Sequence, residues 1–124
     1  DIEQVRILLT NSFSSRYNKP FASGNFSDSK NIILVAEIKG TLVGTASLHI
    51  IQKLTRKMGI IEDVAVDSKV RGNGIGKKLI ENLMEYSVKA GCDKVSLSSS
   101  EENVPFYEKI GFQVSELQMV LRNN

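Results

Sequence analysis

The sequence predicts a mixed α/β domain, an α+β arrangement in which a mostly antiparallel sheet surrounds a central β-α-β unit. Three observations lead there. The run Ile32-Ile-Leu-Val-Ala-Glu-Ile38 is continuously apolar, as expected of a strand covered on both faces. Two further strand-like runs follow it across short turns, which makes an antiparallel meander. After Val66 the apolar period lengthens to that of a helix. The 124 residues, 41% hydrophobic and 24% charged, fit one domain over 1–124.

The elements follow in order. Asp1 is placed to cap a short opening helix with the apolar face Ile2, Val5, Leu8 and Leu9, and the absence of an initiator Met leaves room for a missing strand before it. Asn11 to Asn31 is rich in Ser, Asn and Phe, and Pro20 and Gly24 interrupt any regular pattern, so it reads as a loop or broken helix. Lys39-Gly40 turns the first meander strand into Thr41 to Lys53, and Gly59 to Val66 is the third. Ile75, Leu79, Ile80, Leu83, Met84 and Val88 form one helical face, with Gly91 as the residue that ends the helix. Lys94 to Ser98 is a short strand, and the β-α-β passage is expected to be a right-handed parallel crossover. A short helix runs from Asn103, its N-cap, through Pro105 in the first turn to Ile110, and Gly111 stops it. Phe112 to Leu121 is the expected last strand, for an order α-β-β-β-α-β-α-β.

Composition narrows the function classes. A single cysteine, Cys92, excludes an internal disulfide, and a single histidine, His49, leaves no His/Cys cluster with zinc spacing, so no metal is expected. No apolar run approaches the roughly 18 residues of a membrane span and no secretory signal opens the chain, so no membrane partner and a reduced, cytoplasmic setting are expected. Sixteen Lys and Arg against fourteen Asp and Glu, no Trp and 6% aromatics argue against a nucleic-acid partner.

The segment from Asp67 to Lys78 carries Gly72, Gly74 and Gly76 between a strand and an amphipathic helix. Such glycines let backbone approach a ligand, and the unbonded amides of a helix start suit phosphate oxygens, although a tight turn needs glycines for its own geometry as well. No register supplies the G-x-x-x-x-G-K-[ST] loop or the G-x-G-x-x-G fingerprint. Arg71 to Gly76 does fit R-x-x-G-x-G, and it follows Ile60-Ile-Glu62-Asp63-Val-Ala-Val66. Some thirty residues on comes Asn103-Val-Pro-Phe-Tyr107-Glu-Lys-Ile-Gly111-Phe112. Together these resemble the GNAT superfamily of N-acetyltransferases over nearly the whole chain. The resemblance implies the GNAT fold and acetyl-CoA as cosubstrate. It also implies that backbone amides of Arg71, Gly72, Asn73, Gly74, Ile75, Gly76 and Lys77 hold the pyrophosphate. Val64, Ala65 and Val66 would pair with the pantetheine arm as a pseudo-strand. Asn103 would add a cofactor contact.

Direct acetyl transfer to an amine asks for a base, an oxyanion donor and a proton for the departing thiolate, and no nucleophilic side chain. Cys92 therefore reads as a small apolar residue, and His49, with no Asp or Ser partner evident from spacing, as a strand-face residue. Glu62 and Asp63 interrupt an apolar strand and, by alternation, point to opposite faces; burial of either would make it a stronger base. Glu62 is the candidate base and Asp63 a substrate or structural ligand. Tyr107 matches the superfamily's tyrosine and is the candidate acid. The Ile61 to Phe112 stretch is most similar to glucosamine 6-phosphate N-acetyltransferases, although Ser98, a candidate substrate contact, stands where that group has an acidic residue. The connection Gln52 to Lys57 is instead similar to small bacterial acetyltransferases. The acceptor stays open between a small-molecule amine, with an amino-sugar phosphate leading, and a protein or peptide amine; a non-catalytic acyl-CoA module is the third reading. Phe13, Tyr17, Phe21 and Phe26, with Lys53, Arg56 and Lys57, are the acceptor-side candidates, and the resemblance implies a homodimer that uses the final strand.

Overall fold

The computed structural model describes residues 5–10 and 31–123. The expected cap at Asp1 with Ile2, the Ser- and Asn-rich stretch up to residue 30, and the aromatic group Phe13, Tyr17, Phe21 and Phe26 lie outside those residues. One sheet carries the described fold, with strands β1 (Val5–Thr10), β2 (Asn31–Ile38), β3 (Thr41–Gln52), β4 (Lys57–Val66) and β5 (Lys94–Leu97) side by side in chain order. The first three pairings are antiparallel, and β4 to β5 is parallel across helix α1 (Ile75–Lys89). Helix α2 (Val104–Ile110) follows β5 through a 3-10 turn at Glu101–Asn103.

The meander forms where its turn chemistry allows. Lys39 and Gly40 both take positive φ, 52° and 81°, the left-handed pair of a two-residue hairpin whose twist matches its strands. β2 is buried from Ile33 to Glu37, so it is covered on both faces as its apolar run requires. Between β3 and β4 the Lys53 amide donates to the Arg56 carbonyl at 2.7 Å, and the Gln52 amide group donates to the carbonyls of Lys53 and Arg56.

Two expectations are overturned. Val5, Leu8 and Leu9 do not lie on a helix: Val5–Thr10 is an edge strand laddered to β2 from Val5↔Ile38 to Thr10↔Ile33. Helical spacing and a short period-two pattern overlap in these six residues, and the open edge of β2 decides, because Val5 and Ile7 then pack against the core while Arg6 stays exposed. The second is the final strand. Residues 112–123 take up no regular structure, and Leu117 and Met119 are 95% and 93% exposed. A strand needs a ladder partner, and these residues pair with no described strand: β5 ends the sheet with its outer edge unpaired among the described residues.

The core joins Leu34 and Ala36 of β2, Ala46 and Leu48 of β3 and Ile61 of β4 to Ile75, Leu79, Ile80 and Leu83 on one face of α1. α1 ends as expected: Gly91 has φ 83°, its amide bonds to Val88, and the Cys92 amide bonds to Ser87, a paired closure of the last carbonyls. Leu83 is wholly buried, so Leu83→Ala is expected to cost roughly 2–5 kcal/mol in equilibrium urea unfolding. A loss below about 1 kcal/mol would mean that α1 does not seal this core.

Candidate functional site

Alternation along β4 breaks at Asp63. On β3 the register advances from Thr45 to Ser47 while on β4 it moves from Ala65 to Glu62, so β4 carries one extra residue. Asp63 takes φ 56°, a left-handed conformation that Asp tolerates better than most side chains. Strict alternation from buried Ile61 would send Asp63 and Ala65 into the core; the bulge instead brings Val64 and Val66 there. Glu62 and Asp63 are consequently both exposed, which corrects the expectation of opposite faces set by alternation.

The β4–β5 ladder runs from Met58↔Lys94 to Ile61↔Leu97 and stops. β4 continues through Glu62 to Val66, still paired with β3 at Ala65 and Val66 but past the end of β5. That opening is the strand edge an extended ligand needs. At its far end Asp67 caps the turn Ser68–Val70 by accepting from the Lys69 amide at 3.0 Å. Gly72 and Gly74 have φ 86° and 78°, and Gly74 starts α1, whose first internal bond is Lys78 N–H to Gly74 at 3.0 Å. The amides of Ile75, Gly76 and Lys77 therefore have no acceptor in their own helix, and they sit at its positive end. Asn73 and Arg71 serve the loop itself: the Asn73 amide group donates to the Val70 carbonyl at 3.1 Å and Arg71 Nε donates to the Val66 carbonyl at 3.2 Å. Arg71 thus ties the loop to the end of β4. Lys77 and Lys78 are exposed beside it.

Gly76 couples this loop to α2. A Cβ there would lie 3.4 Å from Phe106 Cζ and 3.6 Å from Val66 Cγ2, so the helix start, the end of β4 and α2 meet at one point. Tyr107 is packed edge-on between Phe106 and Phe112, with ring centroids 4.9 and 6.0 Å away. Burial pushes its phenol above the usual value of about 10, so it is a proton donor at neutral pH. It lines a cleft of about 720 Å³ with Met58, Leu97, Ser98, Lys53 and Lys94. Leu97 is the ladder partner of Ile61, so the cleft borders the stretch that carries Glu62. Asn103 holds the N-cap position of α2 as expected, but it also ends the 3-10 turn in helical conformation, and its side chain makes no capping bond. Pro105 lies in the first turn as expected.

His49 has the partners that spacing did not reveal. Asn31 Oδ1 lies 2.9 Å from Nδ1, Ser47 Oγ 3.2 Å from Nε2, and Glu62 Oε1 3.8 Å from Nε2. Ser47 and His49 share a face at i, i+2, which is legible; the pairings Asn31↔His49 and Ser47↔Glu62 depend on register, which is not. Cys92 is half-buried, and burial and Asp93 push its thiol up against the opposing effect of Lys57, which suits a packed thiol rather than a nucleophile. Lys57 is removed from the basic hairpin cluster, because its ammonium donates to the Ala90 carbonyl at 2.9 Å. Among the described residues no three His, Cys, Asp or Glu side chains are grouped to hold a metal ion.

The family described as Acetyltransferase (GNAT) family matches residues 2–112. A glucosamine 6-phosphate N-acetyltransferase of Trypanosoma brucei brucei is 54% identical over 85 residues, covering 66% of this chain and 58% of that protein. The Arabidopsis thaliana protein of the same name is 43% identical over 90 residues, covering 70% and 60%. The chain thus matches about three-fifths of the length of these relatives. Among solved structures, a Trypanosoma brucei acetyltransferase superposes with TM-score 0.81 at 36% identity, covering 95% of this chain and 99% of the other. Glucosamine-6-phosphate N-acetyltransferase from Arabidopsis thaliana superposes with TM-score 0.80 at 30% identity, covering 97% and 99%.

The bulge separates two roles of Asp63. Asp63→Val should lower stability by roughly 1–2 kcal/mol, because a β-branched residue resists φ 56°, whereas Asp63→Asn should keep the fold. Thermal unfolding of the two variants checks this, and equal stability would remove backbone strain as a constraint at this position.

Proposed function

Given that the chain belongs to the acetyltransferase (GNAT) family, we propose that it moves the acetyl group of acetyl-CoA directly to a primary amine of a small molecule, with glucosamine 6-phosphate the leading acceptor. The observation that carries the reading is the conjunction of an open β4 edge, from Glu62 to Val66, with free helix-start amides at its end. The names of the Trypanosoma and Arabidopsis relatives support the acceptor.

Acetyl-CoA supplies the activated thioester. The amides of Ile75, Gly76 and Lys77, in the loop shaped by Gly72 and Gly74, would hold its pyrophosphate, and the backbone of Val64 to Val66 its extended arm. Asn103, exposed and without a capping bond, is free to contact it. Glu62 faces the acceptor and takes a proton from its ammonium, freeing the nitrogen lone pair to attack the thioester carbonyl. Tyr107 gives its proton to the sulfur as the carbon–sulfur bond breaks and regains one from the newly acylated nitrogen. Asp63 and Ser98 would hold the acceptor, and Lys53 and Lys94, which line the cleft with Ser98, offer charge for its phosphate. A homodimer completes this reading: Leu117, Met119 and Leu121 alternate as exposed apolar side chains in a segment whose first part, residues 112–118, lines the cleft, and β5 ends the sheet with a free edge. The same segment of a second copy supplies the missing ladder.

Thiol release from acetyl-CoA, screened over glucosamine 6-phosphate, polyamines, amino acids and N-terminal peptides, tests the acceptor. Fast turnover with glucosamine 6-phosphate alone is expected, and turnover confined to peptides would replace the acceptor class. Tyr107→Phe is expected to lower kcat by about 100-fold or more with unchanged acetyl-CoA affinity. Because the working form of Tyr107 is protonated and its titration is shifted upward, activity that depends on it is kept through neutral pH and lost only as pH rises above about 10. Unchanged turnover removes Tyr107 from the mechanism. In sedimentation, Leu117→Glu with Met119→Glu should convert a dimer to monomer; an unchanged mass overturns the exchange.

A further inference from the structure

The cluster around His49 lies on the sheet face away from α1. Leu34, Ala46, Leu48 and Ile61 turn toward α1, and Ser47 and His49 alternate with them on β3. The imidazole spans three strands: Asn31 on β2 opposes it directly, and Glu62 on β4 opposes Ser47. Nδ1 faces an oxygen, Asn31 Oδ1 at 2.9 Å, which can only accept. Ser47 commits its own proton elsewhere, because its hydroxyl donates to the Glu62 carbonyl at 3.0 Å. It therefore presents a lone pair to Nε2 at 3.2 Å, and the Glu62 carboxylate adds another acceptor at 3.8 Å. A neutral imidazole has one N–H for these two sides; the doubly protonated ring serves both. Asn31 assigns that one proton to Nδ1, which leaves the Nε2 lone pair on the side of Glu62.

We propose that His49 is a positioning and proton-storing residue for acetyl transfer, taking up through Glu62 the proton that leaves the acceptor ammonium. The proposal rests on the acetyltransferase reading above. The proton passes from the ammonium nitrogen to the Glu62 carboxylate and on to His49 Nε2, across a gap that one water or a small side-chain rotation closes. Glu62 is regenerated as a carboxylate and stays paired with the imidazolium, while the amine keeps the electron pair it uses for attack. An ordinary imidazole holds a proton about two pH units higher than an ordinary carboxylate, so a ring within reach of a carboxylate is the better proton store of such a pair. Asn31 fixes the ring in the orientation that receives the proton, and Ser47 accepts from Nε2 once it is protonated.

The test compares wild type with His49→Gln, which keeps a polar group toward Ser47 and Glu62 but cannot store a proton. At pH 7 with glucosamine 6-phosphate, kcat should fall about 100-fold while the acetyl-CoA dissociation constant, measured by calorimetry, is unchanged. The deficit should shrink as pH rises through the titration of the acceptor amine, since a free amine has no proton to surrender. A deficit equal at all pH values, or none at all, overturns the proposal. His49 is the chain's one histidine, so its ring nitrogens are unambiguous in long-range ¹H–¹⁵N spectra of the wild-type protein. Those spectra should show a neutral ring protonated at Nδ1 alone at pH 7; a neutral ring protonated at Nε2, or a ring already doubly protonated, overturns the proposal even if the variant fails to fold. Wild-type protein that releases no thiol with any amine removes the acetyltransferase reading and this proposal together. Undiminished His49→Gln beside active wild type removes the proposal alone.

Discussion

Everything in the site depends on one extra residue in β4. The strand has three obligations: it must ladder with β3, bury an apolar face under α1 and leave its other edge open past β5. A regular strand through Ile61-Glu62-Asp63-Val64 meets the first two only by burying a carboxylate without a partner, which costs several kcal/mol. Asp63 in the left-handed region resolves the conflict at a local cost of about 1–2 kcal/mol. It returns Val64 and Val66 to the core, leaves both carboxylates in solvent and changes the direction of the strand where β5 lets go.

The glycine loop is built on that strand end. Arg71 bonds the Val66 carbonyl, Asp67 N–H bonds the Val43 carbonyl, and Gly76 admits Phe106 against Val66. Three elements thereby converge on one backbone position, and each contact is either a backbone group satisfied or a Cβ left out. The charged side chains near the loop contribute less to its shape than the positive φ of Gly72 and Gly74, which aims the first amides of α1 outward.

Much of this was legible in the sequence, and the illegible parts share a cause. The β2–β4 meander, α1 with its Gly91 closure, β5 and α2 follow from local period and turn chemistry. The glycine loop announced itself because positive φ restricts residue choice so strongly. β1 is not legible, because six residues carry two periods at once and only the neighbouring strand decides between them. The last segment kept its strand pattern, but a ladder partner is not a property of the segment. At the site, Tyr107 and the loop were legible from type and order, whereas the Asp63 bulge and the His49 cluster are matters of register between strands that are adjacent in space. Asn103 shows the converse: a side chain suited to capping leaves the bond unmade when the chain enters the helix already coiled as a 3-10 turn.

The four-residue ladder that holds β5 has a further consequence. β2 and β3 are paired along eight positions and anchored by buried side chains, whereas α2 contributes no fully buried residue. The β5–α2 unit therefore opens more readily than the meander, and its amides should exchange with solvent well before those of β2 and β3. Glu62 and His49 stand on the slowly opening part of the molecule and Tyr107 on the quickly opening part. Base and acid thus belong to two units of unequal local stability, and a molecule bound across them gains affinity by suppressing the motion of one against the other.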